Sequence, residues 1–155
     1  MIKLNRTTEY GLVALQHMSR KQALDSDSVT SAREVADCYG LPFEITAKTL
    51  QRLRDSDIIR SAQGSRGGYN LQKPLSQISL AQFLDLMEGN RSVVTCTTTG
   101  TAKGSKVKET ICEYRHKCQI RELMTDLNER VVDFLSGISL GDLAGFSTKT
   151  KRVED

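Results

Sequence analysis

Three cysteines, Cys96, Cys112 and Cys118, fall within one short stretch of a 155-residue chain. Thiolates are soft, anionic donors that suit iron, and three of them leave one coordination position for another group. Five residues separate Cys112 from Cys118, wider than the roughly two-to-four spacing that zinc sites favour. An iron–sulfur cluster, zinc and ordinary free thiols are therefore the three readings of this set. His116 lies between two of the cysteines and offers an imidazole nitrogen, or is an exposed loop residue. The fourth cysteine, Cys38, stands beside Tyr39 and reads as a small packing residue.

The compartment bears on that chemistry. No run approaches the ~20 apolar residues that span a bilayer, and MIKLNRTTEYG lacks the apolar block of a signal peptide. The expected location is the cytoplasm, with no membrane partner, where thiols stay reduced and structural disulfides are rare. No nucleophile–base pair, Walker loop or dinucleotide fingerprint is present, so no enzyme activity is expected.

A second set of residues points to nucleic acid. The net charge is only +3, but the segment from Thr46 to Lys73 carries Lys48, Arg52, Arg54, Arg60, Arg66 and Lys73 against Asp55 and Asp57. A local basic excess is the footprint a phosphate backbone selects, although solvated basic faces are also common. Lys48 and Arg52 are four apart and share one face of a helix; with Thr46 and Thr49 they form the expected recognition set. Arg54 is expected to pair with Asp57 or stay solvated, and Arg60 to approach the backbone.

The elements that must position these residues follow from pattern. Leu4–Arg20 is expected to be a helix starting near Thr7 or Thr8, with Tyr10, Val13, Ala14 and His17 on one stripe and Leu12 and Leu15 beside it. Residues 22–29 read as a loop. Ser31-Ala32-Arg33-Glu34 is a capping box opening a helix that Gly40 ends, with Ala32, Val35 and Ala36 inward. Pro42 suits the first turn of the next helix, to about Ser56, whose Ile45, Leu50 and Leu53 reach the core. Two short helices joined by a glycine-containing turn make a helix-turn-helix. Ile58-Ile59 and Tyr69-Asn70-Leu71 read as strands around the tip Gln63-Gly64-Ser65-Arg66-Gly67-Gly68, a wing whose glycines and arginine allow close approach to a phosphate or minor groove. Ser79-Leu80-Ala81-Gln82 is a second capping box, opening a helix that buries Leu80, Phe83, Leu84 and Met87 and stops at Gly89. Residues 91–111 lack periodicity. A long helix from about Glu113 to Leu135 carries Ile120, Leu123, Met124, Leu127, Val131, Phe134 and Leu135, more apolar surface than one small domain needs, so part is assigned to a partner subunit.

The tip ending Gly67-Gly68-Tyr69-x-Leu71, the Leu41-Pro42 pair before the recognition helix, and the downstream cysteines resemble the IscR-type winged-helix regulators, a family that includes IscR, NsrR and RirA. Thr95-Cys96, Cys112-Glu113-x-x-x-x-Cys118 and Ile138-Ser139-Leu140-Gly141-Asp142-Leu143 are most similar to its branch regulating SUF-type iron–sulfur assembly. The resemblance covers nearly the whole chain. It implies a homodimeric transcription factor, usually a repressor, with a 2Fe–2S or 4Fe–4S cluster on Cys96, Cys112 and Cys118. It also aligns Glu9 with an acidic position that supplies an oxygen ligand from the other subunit in some relatives; a first-turn carboxylate also suits the helix dipole. Two departures stand out: the interval between Cys96 and Cys112 is longer than in IscR itself, and Gln63 occupies a wing position that is arginine in some members, with Arg66 inside the tip.

The expected fold is mainly α with a small β-hairpin wing, a winged helix-turn-helix followed by a long dimerisation helix. Its expected divisions are a DNA-binding domain over 1–90, a cysteine-bearing loop over 91–118, the dimerisation helix and last turn over 119–146, and a charged tail over 147–155. The expected partners are a double-stranded DNA operator and a second copy of the chain.

Overall fold

The computed structural model describes residues 4–64, 67–89 and 117–145. Its elements are α1 (Arg6–Leu24), α2 (Ala32–Tyr39), α3 (Phe43–Asp55), β1 (Ile59–Ala62), β2 (Gly68–Leu71), a 3-10 turn (Leu75–Gln77), α4 (Leu80–Glu88), α5 (Arg121–Ser136) and α6 (Leu140–Gly145). Among the described residues this is the expected mainly helical architecture with a β-hairpin. Among the described residues two compact units divide it, one built on Leu4–Ile78 with residues 139–145, the other on residues 79–89 with 117–138.

In the first unit α3 packs against both α1 and α2. Its buried line is Thr46, Thr49, Leu50 and Leu53, the i, i+3, i+4, i+7 spacing of one helical face. Ile45, expected inside, is 41% exposed. Leu50 and Leu53, fully buried, contribute roughly 1.5–3 kcal/mol each, and a helix phased on them turns Ile45 outward. The two threonines can be buried because their hydroxyls donate to helix carbonyls one turn back, Thr46 to Pro42 at 2.9 Å and Thr49 to Ile45 at 2.8 Å, leaving no orphan polar group.

Helix α1 differs from the expected stripe in a similar way. Thr8, Gly11, Ala14, Leu15 and Met18 are its buried residues, while Tyr10, Val13 and His17 are only half-buried. Its N-cap is Asn5, whose side chain accepts from the Thr8 amide at 2.8 Å and hydroxyl at 3.0 Å. It runs to Leu24 rather than Arg20, because Lys21, Gln22, Ala23 and Leu24 are good helix formers.

β1 and β2 pair antiparallel with Ile59 opposite Leu71 and Arg60 opposite Asn70. The hairpin does not stand alone: Tyr69 and Thr30 exchange both backbone hydrogen bonds, at 2.8 and 3.0 Å. A Cβ on Gly68 would lie 2.7 Å from the Thr30 carbonyl oxygen, so this close approach requires glycine. Thr30 immediately precedes Ser31, the α2 N-cap, and the bridge therefore ties the wing to the start of the helix-turn-helix. α6 packs on the 3-10 turn, where a Cβ on Gly141 would lie 2.9 Å from the Ser76 nitrogen.

The second unit holds α4 and α5, which pack together. α4 opens with both arms of its capping box formed between Ser79 and Gln82 and ends at Gly89, φ +75°. It buries Ala81, Phe83, Leu84 and Met87; Leu80 is half-buried. α5 starts at Arg121, not near Glu113: residues 117–120 are turn and coil, and Ile120 at φ −101°, ψ 5° lies outside helical geometry.

Candidate nucleic-acid interface

The helix-turn-helix is α2, a turn through Gly40 at φ +63°, and α3. Along α3 the exposed residues are Phe43, Glu44, Ile45, Lys48, Gln51, Arg52, Arg54 and Asp55. Lys48 and Arg52 present cationic heads from one side of it. Thr46 and Thr49 do not: each is 1% exposed, so the sequence-based recognition set is corrected to exclude their hydroxyls, which are engaged on the helix's own carbonyls. Ile45 takes their place on the outer surface.

The other arginines differ in availability. Arg54 donates to the carboxylate of its neighbour Asp55, at 2.7 and 3.0 Å, and not to Asp57. Those hydrogen bonds and the Asp55 charge raise its already high pKa. Arg60 is exposed on β1 and Gln63 is exposed at the hairpin end, while Arg66 lies outside the described residues. Asp57, at φ +58°, makes the sharp exit from α3 that turns the chain into β1.

Two contacts in this unit have no local signature in the sequence. Arg33, on the first turn of α2, lays its guanidinium over the Phe43 ring at the start of α3, 4.1 Å from the centroid. Both side chains are exposed. Behind them, Glu34 accepts Lys21 Nζ at 2.6 and 2.8 Å and lies 3.0 Å from His17 Nε2. Lys21 also donates to the Val29 carbonyl at 2.7 Å. A carboxylate only accepts, so Nε2 carries a proton, and in the neutral ring Nδ1 accepts from the Tyr39 hydroxyl at 3.3 Å. Burial disfavours the Glu34 charge, but the hydrogen bonds from Lys21 and His17 together with the Lys21 charge outweigh it, and the carboxyl is held below its ordinary value. The Ser31–Glu34 capping box is thus redirected: Ser31 accepts from the Glu34 amide at 3.0 Å, while the carboxylate is committed chiefly to α1.

Of the expected metal ligands, Cys96, Cys112 and His116 lie outside the described residues. Cys118 is a free, half-buried thiol shortly before α5, and Cys38 a free, exposed one on α2. Glu9 lies in the first turn of α1, 3.4 Å from Arg6 Nη1. Among the described residues no three His, Cys, Asp or Glu side chains converge on one point. No described helix is long and apolar enough to cross a membrane.

α5 carries an unsatisfied apolar face. None of its residues is buried, and Ile120, Leu123, Leu127 and Phe134 are 55, 61, 41 and 70% exposed. Met124, Leu127, Val131 and Phe134 step by 3, 4 and 3, the spacing of a coiled-coil seam.

Residues 4–145 match the family model Rrf2, described as an iron-dependent transcriptional regulator. The HTH-type transcriptional repressor NsrR of Streptomyces coelicolor is 26% identical over 144 residues, 92% of this chain and 90% of that protein. The HTH-type transcriptional regulator IscR of Cronobacter sakazakii is 26% identical over 122 residues, 78% of this chain and 69% of that protein. Among solved structures, CymR, the global cysteine regulator of B. subtilis, superposes with TM-score 0.68 at 23% identity, covering 94% of this chain and 98% of that one. IscR of T. potens does so with TM-score 0.67 at 15% identity, covering 99% and 94%.

Proposed function

We propose, from the premise that this chain belongs to the Rrf2 family of DNA-binding transcriptional regulators, that it is a homodimeric repressor whose operator affinity is set by an iron–sulfur cluster. The observation that carries the DNA-binding part is the exposed Lys48/Arg52 face of α3, with the wing fixed beside it through the Thr30–Tyr69 bridge. In helix-turn-helix dimers the second helix enters the major groove, and paired half-sites lie about one helical turn apart. The outward-facing seam of α5 supports pairing with a second copy, which would cover the apolar side chains that this chain leaves in solvent.

The cluster rests on the donor set. Cys118 is a free and partly accessible thiol, and with Cys96 and Cys112 it makes three soft anionic donors that fit iron; Glu9 is the proposed oxygen donor from the partner. When bound, the cluster would supply a group sensitive to iron supply and to oxidants. Iron–sulfur assembly genes are the proposed targets, from the similarity around Cys112–Cys118 and Ile138–Leu143.

The test is anaerobic purification, with iron and sulfide analysis, a visible spectrum, and DNA binding before and after cluster removal. Iron and sulfide in near-equal amounts, lost together in Cys96→Ala, Cys112→Ala or Cys118→Ala, with an affinity change on removal, is the expected result. Failure of both holo and apo protein to bind any selected DNA sequence would sink the regulator reading. A second reading, a cluster-free thiol-redox regulator, is favoured by a structural neighbour described as the oxidized form of Staphylococcus aureus CymR. DNA binding that responds to thiol oxidation, in protein that holds no iron even after reconstitution, would select it.

A further inference from the structure

We propose that Arg33 is a phosphate-contacting residue of the DNA face and that the Phe43 ring positions it. The inference rests on the DNA-binding reading above and adds a residue that lies outside the recognition helix. A guanidinium carbon 4.1 Å from a ring centroid is well inside the roughly 6 Å reach of a cation–π contact. A guanidinium attracted to a ring by its charge keeps N–H donors that are not spent on a carboxylate, and that planar fork binds phosphate oxygens in pairs. Phe43 is 40% exposed, so its ring is not engaged mainly in filling the core. It stands at the start of α3 and holds a side chain that projects from the start of α2. In helix-turn-helix proteins the first helix crosses the phosphate backbone while the second reads the groove, which is the position this stack occupies.

Availability separates Arg33 from its neighbours. Lys21 is committed to Glu34 and Arg54 to Asp55; among the described residues Arg33 forms no ion pair. Among the described residues, no carboxylate pairs with its positive charge, and the Phe43 ring lies against it. An unstacked surface arginine would lose more side-chain freedom on binding a phosphate, whereas this one is already ordered.

The experiment is fluorescence anisotropy of the full chain on two duplexes, one carrying the sequence that the wild-type protein selects from a random pool, the other a scrambled version. Each is titrated across a salt series. Arg33→Gln is expected to lower the slope of log K against log salt by about 0.9, the release from one phosphate, on both duplexes and without changing base preference. Phe43→Leu should lose part of that slope, and Phe43→Tyr, which keeps a ring, should retain it. Lys48→Gln is the internal control. A reduced slope in Lys48→Gln with none in Arg33→Gln overturns the assignment and leaves the DNA reading standing. Weaker binding by Arg33→Gln with an unchanged slope and a lower melting temperature makes its role structural and also overturns it. No binding of either duplex by the wild-type chain removes the DNA reading itself.

Discussion

Replacing Glu34 by glutamine removes the charge at the centre of the α1–α2 clasp while keeping its shape. The wild-type carboxylate takes two hydrogen bonds from Lys21 Nζ, at 2.6 and 2.8 Å, and one from His17 Nε2 at 3.0 Å. Hydrogen bonds to charged groups contribute roughly 1.5–3 kcal/mol when buried, and exposed ion pairs about 0.2–1 kcal/mol. The side chains of Lys21 and Glu34 are 34 and 30% exposed, so solvent screening brings the whole clasp to about 1–2 kcal/mol. For a chain of this size that is a fall of roughly 2–8 °C in melting temperature. The pH dependence has a definite sign. The folded carboxyl titrates below its ordinary value of 4.5, so its contribution is fully present above the unfolded pKa and is lost as pH falls through the folded one. Urea denaturation of wild type and Glu34→Gln, followed by circular dichroism, should show the full difference at neutral pH and a shrinking one as the pH is taken down through the folded pKa of the carboxyl. Lys21→Met should lose less stability in the Glu34→Gln background than in wild type, the remainder being its hydrogen bond to the Val29 carbonyl. A difference that persists undiminished in acid would refute the electrostatic account and assign the loss to packing.

Three further outcomes follow from the same geometry. Gly68→Ala forces a Cβ to within 2.6–2.9 Å of Val29 and Thr30, two of those contacts being backbone, and should cost about 1–3 kcal/mol; an unchanged melting temperature would mean the Thr30 bridge is not closed in solution. Thr49→Val should change stability by no more than about 1 kcal/mol, since the Ile45 carbonyl keeps its helix partner, and should leave DNA affinity unaltered; a large loss of affinity at unchanged stability would put that hydroxyl at the interface after all. Leu127→Glu, on the exposed seam of α5, should convert a dimer to monomers in sedimentation while the circular dichroism spectrum is kept, and a persistent dimer would move the interface elsewhere.

What could be read from the sequence is what local chemistry determines. Gly40 and Gly89 end their helices with positive φ, and the Ser79–Gln82 box closes, because each depends on residues within one turn. The phase of α3 was not legible, since a hydrophobicity argument ranks Ile45 above two threonines. Burial of Thr46 and Thr49 depends on hydroxyls reaching Pro42 and Ile45 carbonyls, a solution that periodicity does not reveal. α1 shows the same limit: Thr8 and Gly11 face inward past Tyr10 and Val13. Glu34 looked like a local capping residue, yet its partners are His17 and Lys21 on another helix. Arg33 and Phe43 meet only after α2 and α3 have packed.

These contacts bear on how a regulator of this build can be switched. Lys21 holds both Glu34 on α2 and the Val29 carbonyl; Thr30, the next residue, holds β2. Ile58 at the base of β1 donates to the Leu53 carbonyl of α3, and α3 packs on α1 and α2. The recognition helix and the wing are therefore cross-tied through several short links to one framework, and bending one away from the other would break a charged clasp, a backbone bridge and a buried aliphatic line together. At roughly 1 kcal/mol or more for each of these, such a distortion exceeds the 1–3 kcal/mol that typically couples two sites. Among the described residues, the chain passes from this framework to the unit bearing α4, α5 and Cys118 at 78–79 and returns at 138–139. Under the proposed reading, a signal arising at the cysteines therefore has to act on this framework as a whole, because bending the wing away from the recognition helix would cost more than such a signal typically supplies.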